Sequence, residues 1–147
     1  MEVFNNDLRE FIKSQFGTGS INATECCIFL YSNSDRSYTI NEIYNKVESN
    51  IASPFTSPER TFATEVRKYT NNTPQELKVS HMKLFTITDF KNPQKFGLIE
   101  NIRERIDEFS KKKAEEFISN TDFLEALKEL FEYSKKIFLL KYSDRFA

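Results

Sequence analysis

The stretch that decides the fold is residues 37–70, SYTINEIYNKVESNIASPFTSPERTFATEVRKYT. Its first residues, 37–40, are predicted to form a short strand, because aromatic and β-branched residues favour extended structure. An amphipathic helix is predicted at 41–51, with Asn41 as the expected N-cap. The residues that share its apolar face are Ile43, Tyr44, Val47 and Ile51.

A second helix is predicted at 58–70, after a loop that contains Pro54. Ser57 suits the N-cap, and Pro58 suits the first helical position, where its missing N–H is not needed. Pro74 ends the helical pattern, because proline disfavours helix in the residue before it. The inward residues of this helix, at spacings of four and three, are Phe62, Val66 and Tyr69.

On the C-terminal side of this stretch the pattern changes from strand to helix. The change in periodicity predicts three strands, at 78–80, 83–88 and 95–99. A turn at 89–94 is expected before the last of them. Residues 100–147 contain neither glycine nor proline, and we expect two helices there that break near 119–122. The second helix carries an apolar stripe at heptad-like spacing, formed by Phe123, Leu127, Leu130, Phe131, Ser134, Ile137, Phe138 and Tyr142.

On the N-terminal side, helices are predicted at 2–16 and from about 22 to 31, the second capped by Asn22 or Thr24. Together these elements predict a mainly α protein with a small β-sheet, an α+β fold. We expect three parts, which are an N-terminal helix (1–21), a central domain (22–99) and a C-terminal helical extension (100–147).

Composition places the chain among globular proteins. Its 147 residues are 39% hydrophobic and 29% charged and include 15 phenylalanines, which is enough apolar material for a core. No apolar run approaches the ~20 residues that a membrane-spanning helix needs, and the N-terminus lacks a signal pattern. We therefore expect a cytoplasmic protein with no membrane partner.

The sequence contains no recognisable catalytic or metal-binding pattern. Cys26 and Cys27 are adjacent within an apolar run, so we expect buried hydrophobic residues rather than a disulfide or metal ligands. His81 is the single histidine, and no nucleotide-binding loop or nucleophile motif is present. The expectation is a protein that is not an enzyme, with no catalytic residues, no cofactor and no metal.

The order of helix, short strand, two helices and further strands resembles that of winged helix-turn-helix DNA-binding domains. SYTINEIYNKV (37–47) is similar to their strand and second helix, SPERTFATEVRKYT (57–70) to the recognition helix, and MKLFTITDFKNPQKFGLI (82–99) to the wing hairpin. The SPERTFATEVRKY and KFGL elements are especially similar to winged helices attached to restriction endonucleases and related defence proteins. The resemblance covers about half of the chain.

The resemblance implies that the helix at 58–70 enters the major groove of duplex DNA, and that the turn at 89–94 contacts the backbone or minor groove. Arg60 and Arg67 suit guanine edges or phosphate, while Ser57 and Thr61 suit phosphate near a helix N-terminus. The DNA-binding residues implied are Ser57, Arg60, Thr61, Thr64, Arg67 and Lys68 on the helix, and Lys91, Asn92 and Lys95, with Gln94 between the lysines, on the wing.

The charge of the chain leaves two functions open. The formal net charge is −1, although residues 35–98 hold nine basic and seven acidic side chains, whereas nucleic-acid-binding proteins commonly carry a marked positive excess. The first function is that of a non-enzymatic protein that binds double-stranded DNA, as a transcription regulator or as the DNA-reading component of a defence or restriction system. The second is a winged-helix module that binds a protein partner and no DNA. A homodimer formed through the C-terminal helices would double the DNA contacts.

Overall fold

The computed structural model describes residues 2–51, 58–73, 82–119 and 121–143. The chain divides into two compact units, Met1–Glu104 and Arg105–Ala147. Over the described residues, helices predominate and a small antiparallel sheet lies in the first unit, which confirms the predicted α+β fold class.

The first unit begins with two helices, α1 (Glu2–Phe16) and α2 (Ile21–Ser32). Gly17 follows α1 with a φ of 64°, a left-handed conformation that glycine adopts without a steric cost. The predicted caps of α2, Asn22 and Thr24, are wrong. Ser20 is the N-cap, and its hydroxyl accepts a hydrogen bond from the Ala23 amide at 3.2 Å.

The helix α2 lies at the centre of the first unit and contacts α1 as well as the next two helices. A continuous run at 23–28 is buried, so the helix has no polar face over this length. Glu25 is buried within this run, and its carboxylate pairs with the Arg9 guanidinium of α1 at 2.5 Å. Cys26 and Cys27 are free and fully buried, which confirms the interpretation of the cysteines as core residues.

The strand β1 (Tyr38–Thr39) leads directly into α3 (Ile40–Val47). The predicted cap Asn41 is wrong, because Thr39 is the N-cap. Thr39 accepts from the Glu42 amide through its hydroxyl, and the Glu42 carboxylate accepts from the Thr39 amide, which completes a capping box. The helix is also shorter than predicted, since it ends at Val47 and continues as one 3₁₀ turn, Glu48–Asn50.

The helix α4 (Pro58–Lys68) ends two residues before the predicted Thr70. The helix ends early because of a contact with residues distant in sequence. The Tyr69 carbonyl accepts hydrogen bonds from the amides of Leu84 (2.7 Å) and Phe85 (3.0 Å). Thr70 forms an isolated β-bridge with Phe85. The predicted N-cap Ser57 and the predicted strand at 78–80 lie outside the described residues.

The sheet contains β2 (Phe85–Asp89) and β3 (Lys95–Leu98), with β3 paired antiparallel to both β1 and β2. Tyr38 lies opposite Phe96, which in turn lies opposite Ile87. All three side chains are buried, so this register directs one face of the sheet into the core. Both strands and the connecting turn agree with the predicted positions to within two residues.

Two further helices follow the sheet, α5 (Glu100–Ser119) and α6 (Thr121–Ser143). The predicted break near 119–122 is confirmed, because α5 ends at Ser119 and α6 begins at Thr121. In the first unit, Arg103 of α5 donates a hydrogen bond to the Leu30 carbonyl of α2 at 3.3 Å. The predicted apolar stripe lies on α6, where the side chains of Phe123, Phe138 and Tyr142 fall outside the described part.

Candidate nucleic-acid interface

The outer face of α4 carries a line of polar side chains. Phe62 and Val66 are fully buried and fix the orientation of the helix, which leaves Arg60, Thr64 and Arg67 exposed to solvent. Spacings of four and three residues place these three on one face of an α-helix. The sequence-predicted strip is therefore brought together over at least two turns of α4.

Two of these side chains, Arg60 and Arg67, are cations. Neither Arg60 nor Arg67 forms an ion pair with any residue that the structure describes. The acid between them, Glu65, is instead bound to Lys68 at 3.1 Å. The guanidinium groups of the strip thus keep their hydrogen-bond donors available for a ligand.

The other predicted residues that the structure describes on α4 are less accessible to a ligand, or already hydrogen-bonded within the helix. Lys68 is half-buried, and its ammonium group is engaged by Glu65. Thr61 is also half-buried, at the edge of the strip. The Thr64 hydroxyl donates to the Arg60 carbonyl at 3.0 Å, so it is left mainly with its acceptor capacity.

The hairpin of β2 and β3 carries the other predicted residues, Lys91 and Asn92 in its turn and Lys95 at the start of β3, and all three are exposed. The Asp89 carboxylate accepts a hydrogen bond from the Lys91 backbone amide at 2.9 Å, which orders the start of the turn. The side-chain ammonium groups of Lys91 and Lys95 form no ion pair with the described residues.

A groove of about 320 Å³ joins the helix and the turn. Its lining comes from the β1–α3 junction, the outer side of α4, and the β2–β3 turn with the start of β3. The residues are Thr39, Ile40, Asn41, Ala63, Arg67, Phe90, Asn92, Pro93, Gln94 and Phe96. Arg67 belongs both to the strip on α4 and to this groove. The structure therefore brings Arg67 and Asn92, predicted from separate segments, into one concave surface.

The chemistry of the groove is mixed. Three amide side chains, those of Asn41, Asn92 and Gln94, line it without a hydrogen bond to any described residue. Asparagine and glutamine can bond both the N6 and N7 groups of adenine, and arginine the O6 and N7 atoms of guanine. The groove can thus offer amide and guanidinium groups to base edges.

Phe90 and Asn41 are the residues that the sequence interpretation missed. Phe90 is 56% exposed at the edge of the turn, although phenylalanine is usually buried. The sequence predicts a capping role for Asn41, whereas the Thr39-x-x-Glu42 pattern identifies Thr39 as the cap and leaves Asn41 exposed in the groove. That pattern was readable from the sequence, while the exposure of Phe90 was not.

A charge cluster beside the groove is already neutralised. The Arg36 guanidinium lies 2.6 Å from the Glu42 carboxylate and 4.1 Å from the centre of the Tyr38 ring. The hydrogen bond from Arg36, together with the Thr39 amide, lowers the pKa of Glu42 to about 2. Arg36 is therefore committed to stabilising the β1–α3 junction and adds little free positive charge.

The two buried cysteines are held in the neutral thiol form. Burial raises the pKa of Cys27 to about 12 and that of Cys26 well above its usual value, so both thiols are protonated at neutral pH. Over residues 2–51, 58–73, 82–119 and 121–143, no three His, Cys, Asp or Glu side chains are grouped so that they could hold a metal ion. Among the described helices, none combines the length and the apolar character needed to cross a membrane.

Comparison of the chain with protein-family models, with curated proteins and with solved structures gives no match.

Proposed function

We propose that this chain is a non-enzymatic winged-helix protein that binds double-stranded DNA, with α4 in the major groove and the β2–β3 turn on the adjoining backbone. The observation that carries the proposal is the exposed strip of Arg60, Thr64 and Arg67, whose two arginines have no ion pair among the described residues. The order of helix, strand, two helices and two strands supports it as well. Such a protein would serve as a transcription regulator or as the DNA-reading component of a defence system.

The dimensions of the strip suit this role. Eleven residues of α-helix span about 16 Å, and the major groove is wide enough to admit one helix. Arg67 is shared with the groove that Asn92 lines, so a duplex on α4 would also meet the turn. The lysines of the hairpin, Lys91 in the turn and Lys95 at the start of β3, would then neutralise phosphates beside the amide side chains of Asn92 and Gln94.

The experiment is a fluorescence-anisotropy titration of the full chain against a labelled random-sequence duplex at about 50 mM and about 200 mM salt. We expect saturable binding at the lower salt and much weaker binding at the higher. In the Arg60→Ala/Arg67→Ala variant we expect at least about tenfold weaker binding, because on a random-sequence duplex the two arginines would contact phosphates, and a hydrogen bond to a charged group contributes roughly 1.5–3 kcal/mol.

The matched control removes the same charge elsewhere. Lys111 and Lys112 are exposed on α5 in the second unit, so Lys111→Ala/Lys112→Ala lowers the net charge equally without touching α4. We expect wild-type affinity from this control. Equal losses in both double variants would mean that only the total charge matters and would remove α4 from the proposal.

A second candidate is a protein-interaction module, favoured by the apolar part of the same groove. Phe90 is exposed and lines it together with Pro93, and the net charge of −1 gives no general attraction to DNA. Absence of duplex binding even at low salt would favour this function. Phe90→Ala would then be the first variant to test in a pull-down.

A further inference from the structure

The groove between α4 and the β2–β3 turn has an open aromatic side chain in its lining. Phe90 is 56% exposed and lines the groove together with Pro93. Its ring contacts no other aromatic ring among the described residues, so a face of the ring is available to a flat ligand through stacking. The volume of about 320 Å³ lies at the lower end of the range for small-ligand sites.

The polar part of the groove offers hydrogen-bond donors and acceptors but little charge. The side chains of Asn41, Asn92 and Gln94 form no hydrogen bond with a described residue, and each carries an amide donor beside a carbonyl acceptor. Among the described residues that line the groove, Arg67 is the one ionised group. This lining suits a ligand that has apolar faces and, along its edges, donors and acceptors side by side.

Cations lie next to this lining in the chain. Lys91 and Lys95 belong to the same hairpin, and each is adjacent in sequence to residues that line the groove. Both lysines are exposed, and neither forms an ion pair with a described residue. A nucleotide combines the two properties that are required, because its phosphate is anionic while its base has apolar faces and polar edges.

A base reaches this groove only when it leaves the stack. In a matched duplex the base edges lie inside the grooves of the DNA, where a protruding helix such as α4 can reach them. A concave site instead accepts a group that protrudes from the duplex. Extrusion of a paired base has a free-energy cost, which is least for a base that has no partner.

We propose that this groove is a binding pocket for one unpaired nucleobase of DNA, stacked on Phe90 and hydrogen-bonded by the three amide side chains. The inference rests on the proposed function, because α4 and the hairpin lysines bring the duplex to the groove. It adds a preference of the protein for duplexes that contain an extrahelical base.

Three duplexes of one sequence test the pocket in the anisotropy titration of the full chain at about 50 mM salt. The first is fully matched, the second carries one extra unpaired adenine, and the third carries an abasic nucleotide at that position. Adenine is used because an amide side chain can bond both its N6 and N7 groups. We expect the duplex with the unpaired adenine to bind about tenfold more tightly than either of the others, within the range that stacking of one base on an aromatic side chain contributes.

Variants of Phe90 test whether the preference arises from stacking. Phe90→Ala should bring the ratio of affinities for the bulged and matched duplexes close to one, whereas Phe90→Tyr, which keeps an aromatic ring, should retain the preference. The matched control is Ile21→Ala, because Ile21 is 53% exposed on α2 and does not line the groove, so its removal should leave the ratio unchanged. Circular dichroism checks that each variant keeps its helices.

The outcomes separate this pocket from duplex binding by α4. Equal binding of the adenine and abasic duplexes would show that DNA flexibility is recognised, and would overturn the pocket. Equal binding of all three duplexes would also overturn it, while duplex binding by α4 would stand. Binding of the unpaired adenine without any binding of the matched duplex would support the pocket and contradict the role of α4. No binding of any duplex would overturn both proposals and favour a protein partner.

Discussion

The lysines of the β2–β3 turn give the sharpest quantitative test of the DNA-binding proposal. Lys91 and Lys95 are exposed and have no ion pair among the described residues, so each is available to neutralise one phosphate. Each phosphate contact contributes about 0.9 to the slope of log K against log salt, so Lys91→Ala/Lys95→Ala should lower the slope by about 1.8. Between about 50 and 200 mM salt, the wild-type chain should therefore lose about twelvefold more affinity than the variant.

The assay is the anisotropy titration on one duplex at four or more salt concentrations, with Lys111→Ala/Lys112→Ala as the control of equal charge. Asn92→Ala gives a second reference, because it removes a hydrogen-bonding amide without a charge and should leave the slope unchanged. An unchanged slope in Lys91→Ala/Lys95→Ala would refute phosphate contact by the turn. The same reduction in the control would show that the slope reports net charge alone.

Two further predictions concern the scaffold of the first unit. Because the pKa of Glu42 is lowered to about 2 in the folded chain, its contribution to stability is present above its unfolded pKa and is lost as the pH falls toward 2. Glu42→Gln should accordingly lower the melting temperature at pH 6 and have little effect near pH 2, and an equal loss at both pH values would contradict the assignment. Arg9→Ala should destabilise the unit by about 2–3 kcal/mol, because it leaves the buried Glu25 carboxylate without its partner. This loss is smaller than the roughly 3–5 kcal/mol for breaking a fully buried ion pair, since Arg9 is partly exposed. Urea unfolding should show that Glu25→Gln costs less than Arg9→Ala, and that the double variant recovers part of the loss.

The elements with clear periodicity could be predicted from the sequence. The helix α4 carries Phe62 and Val66 at helical spacing, and the strands β2 and β3 alternate buried and exposed residues around Phe96. The central helix α2 lacks such a pattern, because the buried run at 23–28 removes its polar face. Its length was nevertheless predictable from the glycines before it and the polar turn after it.

The helix boundaries were harder to predict, for two different physical reasons. The cap of α3 is a local matter, and the pattern Thr39-x-x-Glu42 contained the information that an interpretation based on Asn41 overlooked. The end of α4 is a tertiary matter. Amides of Leu84 and Phe85, distant in sequence, bond the Tyr69 carbonyl, and no local pattern in residues 58–70 encodes that contact.

In the candidate site, too, some features follow from the local sequence and others depend on tertiary contacts. The exposure of Arg60, Thr64 and Arg67 follows from helical spacing once the buried positions of α4 are known. The groove could not be predicted, because it depends on the β2–β3 turn lying beside α4 and the start of α3. The role of Lys68 likewise depends on a neighbour, since only the structure reveals that Glu65 binds Lys68 and neither arginine.

The distribution of ion pairs bears on whether a chain of net charge −1 can bind DNA. Charges separated by more than about 8 Å are largely screened at physiological salt, so the balance on α4 and the turn matters more than the sum over the chain. Near the strip, Glu65 is occupied by Lys68, and Glu42 by Arg36. The cations without a partner among the described residues include Arg60, Arg67, Lys91 and Lys95, all of them exposed and on the proposed surface. Glu59 and Asp89 are the carboxylates of this surface that no described cation pairs. The four cations Arg60, Arg67, Lys91 and Lys95 exceed these two carboxylates, so the surface keeps a local positive excess that the formal net charge conceals.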